Sequence, residues 1–324
     1  MTSLNYALRF SPILKKAIWG GRRLGTMLGK PIGEGEDYAE SWEVVDHGAD
    51  QSVVANGPLA GKTLAELVAQ HPTELFGRHP GAERFPLLLK FLDCNRTLSV
   101  QVHPNDQQGA LLDPPDLGKT EAWVVLAADE NALIYAGLKD GVDAATLEEA
   151  VARGECDRCL HSYKPEVGDC VFIPAGTVHA LGGGLVIAEI QQASDTTFRL
   201  FDWNRVGADG QPRQLHVQES LDTIDFSRGP VEKQAPKAVV DGRGRLVECD
   251  KFVLDRIRSD RPIEVGGDER FHIIVLVDGA VSFSDASGEQ AFASGESLLL
   301  PATADRLSLA PGGAVELLDM YLPA

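Results

Sequence analysis

Residues 168–180 read GDCVFIPAGTVHA. A glycine and an acidic residue lead into an apolar run. Pro174 and Gly176 then turn the chain sharply, and His179 heads the stretch beyond. Residues 295–302, GESLLLPA, repeat the opening faintly: a glycine, an acid, an apolar strand and Pro-Ala, with no histidine after them. Around these two runs the chain is mostly short apolar stretches bounded by Gly, Pro, Asp and Asn, such as ALIYAGL (132–138), LVIAEIQQ (185–192), FHIIVLV (271–277) and AVSFSD (280–285). Many short strands with regular turn signals indicate a mainly β protein, a sandwich or a barrel.

Helical signals are few. Thr63 and Glu66 have capping-box spacing and open TLAELVAQ. Asp143 is placed to cap a helix through LEEAVARG, with Gly154 closing it. Residues 216–224 can form a third. A stretch rich in Gly, Pro and charge, residues 229–246, predicts a boundary. The expected division is a unit of residues 1–235 and a smaller β unit of residues 236–324.

The chain has 324 residues, 44% hydrophobic and 24% charged. No apolar run approaches the roughly 20 residues that span a bilayer. The first residues lack the pattern of a signal peptide, so a cytoplasmic location is expected. Five cysteines, an odd number, argue against a disulfide framework. A net charge of −18 repels nucleic acid and anionic membrane, and neither is an expected partner. An anionic small molecule would need a locally basic pocket, which draws attention to individual Lys and Arg residues.

Upstream lies LSVQVHPND, residues 98–106. Its alternation is that of a strand, with Val100 and Val102 on one face and Ser99, Gln101 and His103 on the other. Pro104 tends to end the ladder and leaves His103 near an open end. A polar strand face inside a β core needs partners. Glu121 in GKTEAW and His179 in PAGTVHA supply them. Two imidazoles, a carboxylate and an amide oxygen suit a borderline divalent ion such as Zn²⁺, and a weak amide ligand leaves that ion strongly Lewis acidic.

LLLKFLDCNRTLSVQVHPND, GKTEAW and FIPAGTVHALGGGLVIAEIQQASDTTFRLFDWNR closely resemble the type I mannose-6-phosphate isomerases, in their short bacterial form. IWGG (18–21), ESWEVV (40–45) and HVQESLDTIDF (216–226) fit the same pattern, and the likeness covers roughly residues 8–226. It implies a cupin fold: a jelly-roll-like β-barrel with a few helices, the smaller C-terminal unit being a degenerate second cupin without a metal site. It implies one Zn²⁺ held by Gln101, His103, Glu121 and His179. It also implies a catalytic Arg199 in SDTTFRLFDWNR and a lysine at the substrate, Lys119, with Lys90 in a matching segment. Ser99 and Glu189 complete the expected substrate contacts. The phosphate needs cations, and Lys90, Lys119, Arg199 and Arg205 are available. The base that moves the proton stays open among Lys119, Glu189 and His103.

Plainer readings stand beside these. Arg199 can pair with Asp195 or Asp202, Lys90 can snorkel from a buried strand, and Gln101 can orient His103 instead of ligating. Cys156 and Cys159, with His161, lack a second CxxC and read as structural. Gly182–Gly184 reads as a hairpin turn. The expected function is a Zn²⁺-dependent isomerase that interconverts mannose 6-phosphate and fructose 6-phosphate through a cis-enediol, in a monomer or homodimer. The rivals are a related sugar-phosphate isomerase with shifted substrate preference, a metal cupin with oxidative chemistry and a non-catalytic sugar-phosphate-binding cupin.

Overall fold

The structure, a computed structural model, describes residues 4–79, 81–206 and 210–324. Its four large sheets are antiparallel throughout and stack as two sandwiches. In the first, a five-stranded sheet of order Leu160–Tyr163, Ile134–Leu138, His179–Leu181, Val100–Val102, Phe198–Phe201 faces a six-stranded one. The latter runs Cys170–Ile173, Glu121–Ala128, Leu185–Gln192, Leu87–Cys94, Tyr38–Val44, Ile13–Gly21. The second sandwich pairs a six-stranded sheet (Lys237–Val240, Arg243–Glu248, Val253–Ser259, Val315–Tyr321, His272–Asp278, Ser297–Leu300) with a four-stranded sheet (Ile263–Val265, Leu307–Pro311, Ala280–Asp285, Gly288–Ala293). The expected barrel therefore takes the form of two facing sheets in each unit.

Composition dictates how the layers meet. Leu87–Cys94 and Leu185–Gln192 are buried along their whole length. Strands covered on both faces need apolar side chains on both. Leu87, Leu89, Phe91, Val186, Ala188 and Ile190 point outward and share one core with Leu254, Ile273, Val275 and Leu318 of the second sandwich. Leu92, Leu185 and Ile187 point inward, with Trp19, Trp123 and Ile134. Lys90 and Glu189 have the inward parity, so their charges enter the first sandwich. The chain start joins the units further: Leu8 and Leu299 exchange both backbone hydrogen bonds at 2.9 Å, and the Ala7 N–H donates to Asp285 at 2.8 Å.

Thr63 accepts from the Glu66 N–H and Glu66 reaches back to the Thr63 N–H, so the expected capping box opens Leu64–Gln70. Asp143 caps Ala144–Ala152 through the Thr146 N–H, and Val217–Thr223 forms the third expected helix. Helices Ala144–Ala152 and Val217–Thr223 cover the outer face of the five-stranded sheet, where Val100, Val102, Leu147 and Leu160 pack. The glycines at 182–184 differ from expectation. The strands they join lie in different sheets, so they turn a corner between layers instead of closing a hairpin. A Cβ on Gly182 would stand 2.5 Å from the Leu133 carbonyl, and Gly184 has a φ of +91°; both positions require glycine. No described helix is long and apolar enough to cross a membrane.

The second sandwich buries a cluster of charges around His272. His272, 3% exposed, is held by Asp319 on Nδ1 at 2.7 Å and by Asp268 on Nε2 at 3.0 Å. Asp319 also accepts from Arg243 at 2.8 Å. Burial opposes the imidazolium, but Asp319 and Asp268 outweigh it and raise the pKa from 6.5 to about 9. The stabilisation is complete below 6.5 and fades as pH rises through about 9. It amounts to about 3 kcal/mol over that window. Thermal unfolding followed from pH 6 to 10 should show this decline in the wild type and a flatter profile in His272→Gln. An equal decline in both would assign it elsewhere.

Candidate metal centre and substrate cavity

Register brings the distant segments together. His179 and Arg199 each pair directly with Gln101, on either side of the short strand Val100–Val102. Glu121 begins the facing strand Glu121–Ala128, between Ile173 and Gln191. Gly176 has a φ of +82° and its N–H donates to the His103 carbonyl at 2.9 Å, which locks the Pro174–Gly176 turn onto the HPND segment. Beyond His103, Asn105 and Gln108 form a capping box that opens the short helix Asp106–Gly109. That spacing is present in the sequence, and it folds the chain away from the site at once.

The ligand atoms of His103, Glu121 and His179 all lie within 4.8 Å of one another, each residue about 1% exposed. His179 Nε2 is 3.3 Å from Glu121 Oε1, and His103 Nε2 is 3.5 Å from Glu121 Oε2. Each imidazole spends its other nitrogen on a backbone carbonyl: His103 Nδ1 on Thr196 and His179 Nδ1 on Thr177, both at 2.9 Å. A carbonyl only accepts, so both Nδ1 atoms carry the proton and both Nε2 lone pairs converge on the cluster. Burial, reinforced by the Lys119 charge, holds the His103 pKa well below the ordinary value. Burial likewise lowers that of His179 to about 4. Both rings are thus neutral, the form that binds metal.

The donor set passes a further test. Glu121 Oε2 is buried and lies 3.0 Å from the Lys119 ammonium, which also donates to His103 Nε2 at 3.0 Å. A buried carboxylate oxygen is costly unless a cation stands against it. Gln101 approaches the same point, its amide 3.3 Å from His179 Nε2. A half-turn of the amide would present oxygen there without changing its shape. Two neutral imidazoles, a carboxylate and an amide oxygen fit a zinc-type ion.

Beside the cluster is a cavity of about 340 Å³, lined by Ser99, Gln101, Lys119, Glu189, Lys90, Arg199 and Arg213, with Trp19 and Trp123 in its wall. Of the expected substrate contacts, Lys90, Ser99, Lys119, Glu189 and Arg199 line it, and Arg205 does not. The Lys90 ammonium stays inside the cavity instead of snorkelling outward, 3.3 Å from Glu40 and 3.2 Å from Glu189. Burial disfavours its charge, but Glu189 and Glu40 outweigh that and raise its pKa. Glu40 Oε2 accepts from the Trp42 indole at 2.6 Å, and Glu189 Oε2 from the Trp123 indole at 3.1 Å. Burial, and then the Glu121 charge, push the Glu189 pKa up.

Arg199 makes no ion pair among the described residues. Its Nη1 donates to the Gln214 carbonyl at 2.9 Å, and its buried Nε has no partner. Asp202 instead holds Arg205 at 2.6 Å and Arg213 at 2.7 Å. Arg205 is turned away from the cavity towards the Thr97 carbonyl, and Arg213 takes its place in the lining. Sequence reasoning missed Arg213 and Glu40. Glu40 lies in the strand Tyr38–Val44 opposite the inward-pointing Leu92, so its parity carried a signal, whereas Arg213 lies in a stretch without strand periodicity, near the bridge between Val206 and Pro212. Cys156 and Cys159 are buried and free, and burial raises both thiols above their ordinary range, to about 12 for Cys156. That chemistry is inert.

Comparison with known proteins gives one answer. Residues 7–127 match the family described as phosphomannose isomerase type I, catalytic domain. The chain is 36% identical over 300 residues to the mannose-6-phosphate isomerase ManA of Bacillus subtilis, covering 91% of this chain and 92% of that one. It is 35% identical over 292 residues to the mannose-6-phosphate isomerase of Streptococcus mutans, covering 90% of each. The crystal structure of a mannose 6-phosphate isomerase from Bacillus subtilis superposes with a TM-score of 0.89 at 30% identity, over 98% of this chain and 99% of that one. A structure from Archaeoglobus fulgidus, at 21% identity and a TM-score of 0.79, shares the fold. With its cupin-type fold and its His–Glu–His cluster beside a polar cavity, the chain belongs to the type I phosphomannose isomerase family.

Proposed function

We propose that the protein interconverts mannose 6-phosphate and fructose 6-phosphate at a zinc ion held by Gln101, His103, Glu121 and His179. The observation that carries this reading is the convergence of two proton-free Nε2 atoms on a buried carboxylate, beside a cavity lined with cations in a chain of net charge −18. When bound, the ion supplies Lewis acidity towards the sugar oxygens at C1 and C2.

The remaining work falls to side chains of the cavity. Isomerisation moves a proton between C2 and C1, with a cis-enediol between them. Of the three candidate bases, His103 has both nitrogens engaged, and Lys119 sits against His103 and Glu121. Glu189 is buried with its Oε1 3.2 Å from the Lys90 ammonium and its Oε2 on the Trp123 indole, and burial and the Glu121 charge raise its pKa, which favours it among the three as the carboxylate that takes and returns the proton. Arg199, unpaired and permanently charged, opposes the negative charge that develops on the carbonyl oxygen. Arg213 and Ser99 line the same cavity and offer donors to the phosphate. The catalytic unit is residues 1–235, with residues 236–324 as a metal-free C-terminal unit. The five free cysteines support a reducing, cytoplasmic setting.

Chelator-stripped protein should lose mannose 6-phosphate turnover and regain it with Zn²⁺, without consuming oxygen. A panel of hexose and pentose phosphates would fix the substrate range. Full turnover in metal-free protein would reject the metal-centred reading, and sugar-phosphate binding without turnover in the loaded protein would establish a binding module instead.

A further inference from the structure

The imidazole of His103 is aimed by the Thr196 carbonyl, and that carbonyl belongs to a segment with two faces. Asp195 and Thr197 line the substrate cavity, while Ser194 and Thr196 turn their hydroxyls the other way, towards Asp116. Asp116 Oδ2 accepts from Ser194 Oγ at 2.8 Å and from Thr196 Oγ1 at 3.0 Å. Its Oδ1 accepts from the Leu117 N–H at 2.8 Å and from Arg84 at 3.0 Å, and His47 Nε2 lies 3.2 Å from Oδ2. One carboxylate thus ties the loop before Lys119 and Glu121 to the loop that carries the Thr196 carbonyl. Its side chain is 10% exposed. Burial would raise its pKa, but the hydrogen bonds, led by that of Ser194, outweigh this and lower it to about 2. It therefore remains an acceptor at every working pH.

We propose that Asp116 is a positioning residue of the metal centre: it fixes the Thr196 carbonyl, and through that carbonyl the ring orientation and tautomer of His103. The inference rests on the metal-centred reading above. Without the carboxylate, the Ser194–Thr197 segment loses its anchor and His103 is left to sample orientations that no longer face Glu121. Partners one step behind a ligand set its geometry, and their loss typically costs ~10–100-fold in metal affinity.

The test is Co²⁺ titration of the chelator-stripped full-length chain, read by visible absorption and by equilibrium dialysis. Asp116→Asn should raise the Co²⁺ dissociation constant by about 10-fold or more, with the wild-type spectrum recovered at saturating Co²⁺. Thr196→Val, which deletes one hydroxyl and leaves the carboxylate in place, should shift it in the same direction by less. Asp143→Ala serves as the comparison: it loses a helix cap and stability but should bind Co²⁺ as the wild type does. The proposal is overturned if Asp116→Asn and Thr196→Val both bind with wild-type affinity, or if Asp143→Ala weakens binding as much as they do. Wild-type protein that binds no Co²⁺ would overturn the metal reading itself, an outcome separate from either of these.

Discussion

His179→Ala should lose its bound metal and its isomerase activity in the same step. The ring supplies one of two neutral Nε2 donors, is 1% exposed, and packs edge-on against Trp123 with centroids 5.3 Å apart. No other described His, Cys, Asp or Glu forms such a group with His103 and Glu121. Lewis acidity worth several kcal/mol in the transition state corresponds to a fall in kcat/KM on the order of 10³-fold. Metal content by elemental analysis and turnover of mannose 6-phosphate should drop together, with the far-ultraviolet circular dichroism unchanged. One full equivalent of metal with normal turnover would remove His179 from the site.

Asp319→Leu should have the largest effect on stability. Asp319 is fully buried between the His272 imidazole and the Arg243 guanidinium. Burial disfavours its charge, but these two cations, led by His272, hold its pKa below the usual carboxylate range. Removing one partner of a buried ionic cluster strands the others, at a cost of about 3–5 kcal/mol. Urea unfolding should show a midpoint lowered accordingly with an unchanged slope. A loss below about 1 kcal/mol would mean that Asp255, 3.2 Å from the Arg243 guanidinium, and Asp268, on His272, neutralise the cluster unaided.

The β architecture and the ligand cluster were legible because each rests on local patterning. The period-two alternation of LSVQVHPND turns Gln101 inward, and the Pro-Ala-Gly turn presents His179. The capping box at Thr63 and the helix cap at Asp143 were legible for the same reason. What escaped depends on pairing across the chain. Gly182–Gly184 looks like a hairpin because nothing local says that the flanking strands join different sheets. Arg205 looked like a phosphate ligand by type, yet Asp202 draws it aside, and Arg213, in a loop without periodicity, lines the cavity. The charges around His272 were invisible for a similar reason: Asp268 lies only four residues away, but Arg243 and Asp319 are distant in sequence and join it only when their strands assemble.

The reciprocal bonds between Leu8 and Leu299 set an order of events during synthesis. The segment around Leu8 acquires this partner only after the roughly 290 residues that separate it from Leu299 have been made. At roughly 5–20 residues per second that is a delay of tens of seconds or so. Through that interval the outward side chains Leu87, Leu89 and Phe91 lack their cover, because Ile273, Val275 and Leu318 are still to come. The nascent protein therefore carries a sticky sheet face until the strands of Ile273, Val275 and Leu318 emerge.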